Sequence, residues 1–169
     1  KIKRQVDNCN GIIESVLDLT RTDTSSFDKI DVCEVLRSSL ESISFPAGIT
    51  LEQDFSPEPL MVVGGGLQLG LVFGNIIRNA VQAMPGGGTL TLKAGRAADC
   101  ERDWVIVSVS DTGAGISEEN RERIFEPLFT TKTRGTGIGL AIVKMVIEKH
   151  GGTIEVEPGT EKGASFVVR

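Results

Sequence analysis

A chain of 169 residues with 40% hydrophobic and 24% charged side chains is one good-sized soluble domain, or one domain with an appendage. A net charge of −5 and a pI near 5.0 argue against a nucleic-acid surface. No apolar run is long enough to span a bilayer, no signal-peptide pattern opens the chain, and Cys9, Cys33 and Cys100 with one histidine read as reduced cytosolic thiols, not as a disulfide frame or zinc site. The chain starts without Met and stops inside a strand-like run, so the expectation is a piece of a longer protein.

Residues 1–20 read as a helix. Ile2, Val6, Cys9, Ile13, Val16 and Thr20 alternate by four and three, which is a heptad seam of fewer than three heptads. A helix packed on its own domain is one reading; a helix pairing outside the domain is favoured, because the polar run 21–26 separates it from the rest of the chain. Asp31 with Glu34 three residues on is a capping box for a helix over about 32–44, whose stripe is Val32, Val35, Leu36, Leu40 and Ile43. Residues 49–55 alternate as a strand.

A strong helix comes next, over about 67–84, with Leu69, Val72, Phe73, Ile76, Ile77, Ala80 and Met84 as its core face. Asn75, Arg78, Asn79 and Gln82 form a second row at i, i+3, i+4 and i+7. A solvated face is the bland reading. Two mid-helix asparagines are poor helix formers that compete for backbone hydrogen bonds, which tips the row towards a working face. Residues 89–94 and 104–110 read as strands, and Asp111-Thr-Gly-Ala-Gly115 closes the second. Ser117 with Asn120 marks a short helix ending near Ile124.

The stretch 125–140 then combines Phe125 and Phe129, the basic residues Lys132 and Arg134, and glycines at 135, 137 and 139, and it runs into an apolar helix from Ile138 to about His150. Those glycines would permit positive φ and close approach to a ligand, and a helix starting there aims free N–H groups at the loop. The arrangement suits a polyphosphate, and equally a dinucleotide loop or a plain hinge. His150, at a helix C-terminus, reads as structural, an imidazolium favouring the helix dipole. Strands over 153–157 and 164–168 end the chain.

Asp111 by itself fits an Asx-capped turn. Set in a pocket, its carboxylate would accept from the exocyclic amine of adenine, whereas guanine would present a carbonyl there. Asn79 would offer a hard oxygen to Mg²⁺. Lys132 and Arg134 fit solvated loop charges or contacts to a terminal phosphate.

Four motifs stand in order: Asn75-Ile-Ile-Arg-Asn79-Ala80, Asp111-Thr-Gly-Ala-Gly115, Phe125-Glu-Pro-Leu-Phe129 with Thr130-Thr-Lys132, and Gly135-Thr-Gly-Ile-Gly139-Leu140. Together they resemble the N box, first glycine box, F box and second glycine box of the ATP-binding catalytic domain of two-component sensor histidine kinases, in the group that includes gyrase, MutL and the ATPase chaperones. The F-box wording is similar to that of the nitrogen-regulatory type. Residues 159–166 resemble the last glycine element, and the likeness covers about residues 30–169.

The resemblance implies an α/β two-layer sandwich, a mixed β-sheet with helices on one face (the Bergerat ATP-binding fold), preceded by a helix from a dimerisation bundle. It implies residues 1–22 as the end of that phospho-acceptor bundle, 23–30 as linker and 31–169 as the catalytic domain. Its cofactors would be ATP and Mg²⁺. By resemblance Asn79 and Lys132 take catalytic roles and Asn79 also holds the metal. Nucleotide would be bound by Asn75, Arg78, Asn79, Asp111, Gly113, Gly115, Ile116, Thr131, Lys132, Gly135, Thr136, Gly137, Ile138, Gly139 and Leu140. Expected partners are the histidine-bearing bundle and a response regulator receiver domain, in a cytoplasmic, homodimeric full-length protein that a membrane segment elsewhere could anchor.

Two departures matter. Where the gyrase-like hydrolases carry a catalytic glutamate, this chain has Asn75, and an amide is no general base. The acceptor histidine with its neighbouring acid is absent, so the piece should bind ATP without phosphorylating itself. A serine kinase of the same fold and a nucleotide-dependent interaction module stay open beside the leading reading. A dehydrogenase-like dinucleotide domain fits least, because the glycine loop does not follow the first strand of a βαβ unit.

Overall fold

The computed structural model describes residues 27–98, 103–132, 135–159 and 162–169. The expected helix over 1–20, the polar run 21–26 and Arg134 lie outside them.

Two strands are absent from the sequence reading. β1 (Asp28–Asp31) and β3 (Met61–Gly64) pair antiparallel, with Ile30 opposite Val62. At four residues each they are too short to show an alternation of period two. β1 takes up the end of the stretch read as linker. Helix α1 (Val32–Glu41) starts as expected at Asp31, whose Oδ1 accepts from the N–H groups of Cys33 and Leu60, both at 3.0 Å. One carboxylate thus caps α1 and ties it to the chain entering β3. α1 ends three residues before the expected 44. There Ser42 Oγ donates to the Ser39 carbonyl at 2.7 Å, a side-chain bond that competes with another helical turn.

Helix α2 (Gly66–Ala83) presents Leu69, Val72, Phe73, Ile76, Ile77 and Ala80 to the core, and Pro85 follows its C-cap Met84. The other strands are β2 (Ile49–Phe55), β4 (Gly88–Ala98), β5 (Asp103–Asp111), β6 (Ile154–Pro158) and β7 (Ala164–Val168). They form one five-stranded sheet in the order β2-β4-β5-β7-β6. The β2–β4 pair is parallel and the rest antiparallel, so the sheet is mixed. A parallel pair needs a crossover, which β3 and α2 supply. Leu90, Leu92 and Ala94 of β4, Val107 and Val109 of β5, and Phe166 and Val168 of β7 point to one face. There they meet α1, α2 and helix α3 (Gly139–Lys149) in a single core. Thr91 and Lys93 face away. α2 lies between α1 and α3 and is the central helix of the layer.

The short helix expected after Ser117 is instead two 3₁₀ turns, Glu118–Asn120 and Arg123–Phe125. Ser117 Oγ accepts from the Asn120 side chain at 2.8 Å and does not cap the backbone, so no longer helix is nucleated. His150 is structural, though not as a cation. Its Nε2 accepts from Gly65 N–H at 3.0 Å, which leaves Nδ1 to donate to the Val146 carbonyl at 2.8 Å. Its ring stacks on Phe27 with centroids 4.5 Å apart. The neutral ring joins the end of α3 to the start of α2, where no side chain caps the helix.

Candidate functional site

The row on α2 faces a cleft. Asn75 and Asn79 are half-buried, while Arg78 and Gln82 are exposed. Across from them lie Ile124, Phe129, Lys132, Gly135, Thr136, Gly137, Gly139 and Leu140, enclosing a cavity of about 240 Å³. A second cavity of about 140 Å³ adjoins it, with Asn79, Ile124, Phe129, Lys132 and Leu140 in both walls. Its remaining lining includes Ala83, Asp111, Gly115, Ile116, Thr130, Thr131, Ala164 and Phe166. The cleft therefore runs from Asp111 at one end to Asn75 and Arg78 at the other. A larger groove of about 780 Å³, between α1 and the start of α2, contains none of the four motifs.

Asp111 ends β5 and is only 4% exposed. Burial pushes its carboxyl above the ordinary value of 3.8; hydrogen bonds from the backbone of Gly113 and Ala164 and the charge of Lys132 pull the other way. Its Oδ1 accepts from Gly113 N–H at 2.8 Å. The turn is pinned to β4 through Thr112, whose Oγ1 accepts from Thr89 N–H at 2.9 Å. Gly163 closes the back of the site at φ +84, with its Cα packed on the Asp111 backbone so closely that a Cβ would overlap the Asp111 carbonyl. Only glycine fits there.

At the other end the lysine that follows the F-box run crosses the cleft. Lys132 Nζ donates to Asn79 Oδ1 at 3.0 Å and to Gln82 Oε1 at 2.8 Å. Lys132 is exposed as a residue, yet partial burial of its ammonium lowers its pKa from 10.5, against the charge of Asp111, which raises it. Arg78 Nη2 lies 3.5 Å from Asn75 Oδ1. Among the described residues no group of three or more His, Cys, Asp or Glu side chains is placed to hold a metal.

The glycine loop differs from expectation in one respect. Only Gly137 of the three has positive φ, at +68. A Cβ there would collide with the Leu128 backbone and come within 2.7 Å of the Phe129 carbonyl oxygen, because the loop folds back on the F-box run. Gly135 and Gly139 serve close approach, to Thr130 Oγ1 and to Asn75 Oδ1 respectively. Leu128 donates its N–H to the Gly137 carbonyl at 3.0 Å and itself sits at φ +67, an outlier for a bulky side chain. Phe129 lines both cavities under the Arg123 guanidinium, 4.5 Å from the ring centroid, while Phe125 packs against the core.

Of the residues expected to bind nucleotide, most line these two cavities. Gly113 instead holds Asp111 through its N–H, and Ile138 turns inward against the core at the start of α3. The list of expected nucleotide-binding residues left out Gln82, Ala83, Ile124, Phe129, Thr130, Ala164 and Phe166 of the lining, and Gly163 behind Asp111. Gln82 already carried a signal, as the last member of the row on α2.

The profile described as "Histidine kinase-, DNA gyrase B-, and HSP90-like ATPase" matches residues 64–169, more than half of the chain. The chain belongs to this ATPase family. Its mixed sheet with helices on one face is the Bergerat ATP-binding fold, and ATP binding comes with membership of the ATPase family. The chain is 35% identical to sensor histidine kinase ZraS of Klebsiella oxytoca over 96% of its own length and 35% of that protein's. It thus spans about a third of the length of the ZraS relatives it matches. It superposes on the mycobacterial sensor histidine kinase MprB with a TM-score of 0.74 at 28% identity, covering 84% of this chain and 95% of that one. On full-length ShkA in complex with AMPPNP the TM-score is 0.70 at 32% identity, covering 85% of this chain and 30% of ShkA. Among the described residues no helix of this ATPase-family chain is long and apolar enough to cross a membrane.

Proposed function

We propose that this chain is the catalytic part of a sensor histidine kinase, transferring the γ-phosphoryl group of ATP to a histidine on a helical bundle for relay to a response regulator receiver domain. The observation that carries the reading is the single cleft that joins a buried carboxylate to a cation-bearing amide row. Asp111 accepts from the adenine amine, with Gly113 holding the carboxylate in place. Ile116, Leu140 and Phe166 flank the flat base. Asn79, Lys132 and Arg78 take the phosphate end, with the first N–H groups of α3 aimed at it.

Asn79 fits a magnesium ligand, since its Oδ1 already accepts from a cation at 3.0 Å. When bound, Mg²⁺ supplies neutralisation of the phosphate charge. Asn75 lines the phosphate end without a carboxylate to activate water, which favours transfer to a supplied nucleophile over hydrolysis. The imidazole nitrogen of the acceptor forms the new P–N bond as the bond to the β-phosphate oxygen breaks, and ADP leaves. The base for the imidazole proton belongs to the bundle. On this reading residues 1–22 are the end of the bundle, 23–30 a linker and 31–169 the catalytic domain of a cytoplasmic, homodimeric kinase.

The test is to mix the chain with a separate histidine-bearing bundle and γ-labelled ATP. Label should appear on the bundle and disappear with Asn79→Ala. A chain that binds ATP yet transfers nothing to the correct bundle refutes the kinase reading. A variant at Asn79 that keeps bundle binding and partner output unchanged would favour a nucleotide-dependent interaction module.

A further inference from the structure

Gln82 provides the shorter of the two hydrogen bonds that hold the Lys132 ammonium, 2.8 Å against 3.0 Å to Asn79. The residue is exposed on α2, and nothing in the core accounts for its orientation. Both acceptors are neutral amides, and among the described residues no carboxylate forms an ion pair with Lys132. The amides fix the position of the ammonium without cancelling its charge, and Asp111 acts on that charge without an ion pair, so it stays available to an anion.

The proposed metal role of Asn79 makes Gln82 more important. Were a divalent ion held by Asn79 Oδ1, that oxygen would be engaged as its ligand and no longer free to accept from Lys132. Gln82 remains as its protein acceptor.

We propose that Gln82 is a positioning residue for the terminal phosphate: it retains the Lys132 ammonium at the mouth of the cleft and so makes the site prefer nucleoside triphosphates over diphosphates. This rests on the reading of the cleft as a Mg·ATP site. Gln82 acts through Lys132, so its loss should matter only for nucleotides that reach Lys132.

The experiment is calorimetric titration of the full chain and its Gln82→Ala, Lys132→Ala and doubly substituted forms with Mg·AMPPNP and Mg·ADP, beside thermal melts of each. Gln82→Ala should weaken Mg·AMPPNP by about three- to tenfold and change Mg·ADP by less than about twofold. The double variant should bind Mg·AMPPNP no worse than Lys132→Ala alone. Gln82→Glu, which neutralises the ammonium, should also weaken Mg·AMPPNP selectively. Equal losses for both nucleotides, additive losses in the double variant, or no loss in Gln82→Ala would overturn the role of Gln82. A parent chain that binds neither nucleotide would overturn the Mg·ATP reading itself.

Discussion

Replacing Asp111 by Asn should raise the stability of the empty domain and at the same time remove nucleotide recognition. Burial raises the folded pKa of Asp111 above its ordinary value of 3.8, so the folded state holds this proton more tightly than the unfolded chain does. The stabilising contribution is therefore fully present below 3.8 and is lost as pH rises through the folded pKa, so above that pKa the ionised carboxylate lowers stability. Asparagine removes that charge, keeps the volume beside Gly163, and offers one oxygen to Gly113 N–H, now 2.8 Å from Oδ1, so the expected gain is net of any weakening of the bond from Ala164 N–H. Its melting temperature should therefore rise, by about 2–4 °C for each kcal/mol regained. Binding should move the other way. A charge-assisted hydrogen bond to the adenine amine is worth about 1.5–3 kcal/mol, so ATP affinity should fall by about ten- to a hundredfold. ATP affinity of the parent should also fall on acidification, starting above pH 3.8, with Asp111→Asn as the control that subtracts the titration of ATP itself. The assays are differential scanning fluorimetry without ligand and calorimetric titration with Mg·ATP. A variant that melts lower than the parent, or keeps its ATP affinity, would refute the reasoning.

Other variants probe the scaffold and the chemistry. His150→Ala leaves Gly65 N–H without its acceptor, while the Val146 carbonyl keeps the backbone N–H of residue 150, and should cost about 1–3 kcal/mol in denaturant unfolding, with ATP affinity of the folded fraction unchanged. Gly163→Ala places a Cβ on the Asp111 carbonyl at φ +84 and should lower the melting temperature and ATP affinity together, since the strained backbone carries the carboxylate. Asn75→Glu should not create an efficient hydrolase. Arg78, whose guanidinium lies 3.5 Å from Asn75 Oδ1, would pair with the new carboxylate and weaken it as a base; the double change with Arg78→Ala should hydrolyse ATP faster in a phosphate-release assay.

The parts of the fold that were legible in the sequence are those with a long period. α2, 18 residues long, carries Leu69 to Ala80 at helical spacing, and the core it predicts is the core observed. β5 and the Asp111 turn were legible because an alternating run ends in Asp-Thr-Gly. β1 and β3 were not, since four residues carry no measurable alternation and their pairing is set by Asp31 binding Leu60 N–H from across the chain. In the site, residue type located Asn79, Asp111 and Lys132 but not their relations. That the Lys132 tip reaches Asn79 and Gln82 depends on how the loop folds over α2, and that Gly163 backs Asp111 depends on the pairing of β7 with β5. Both are tertiary placements with no local signal. The three loop glycines looked equivalent in sequence, yet only Gly137 needs positive φ.

The charges of the cleft also orient the nucleotide on the proposed reading. A reversed pose would place the triphosphate against the buried Asp111 carboxylate. Two like unit charges about 4 Å apart at an effective dielectric of about 20 cost about 4 kcal/mol, close to a thousandfold in affinity. The amide row with Lys132 and Arg78 makes the opposite demand and favours the phosphates. The adenine is thereby held at the enclosed end, behind Phe129 and Ile116, and the terminal phosphate lies beside the exposed side chains of Arg78 and Gln82. A nucleophile on another helix has to reach the γ-phosphorus from that exposed side of α2, because the Asp111 end is backed by β5 and by Gly163. On the proposed reading, the polarity that would select adenine also decides the side from which an acceptor histidine must approach.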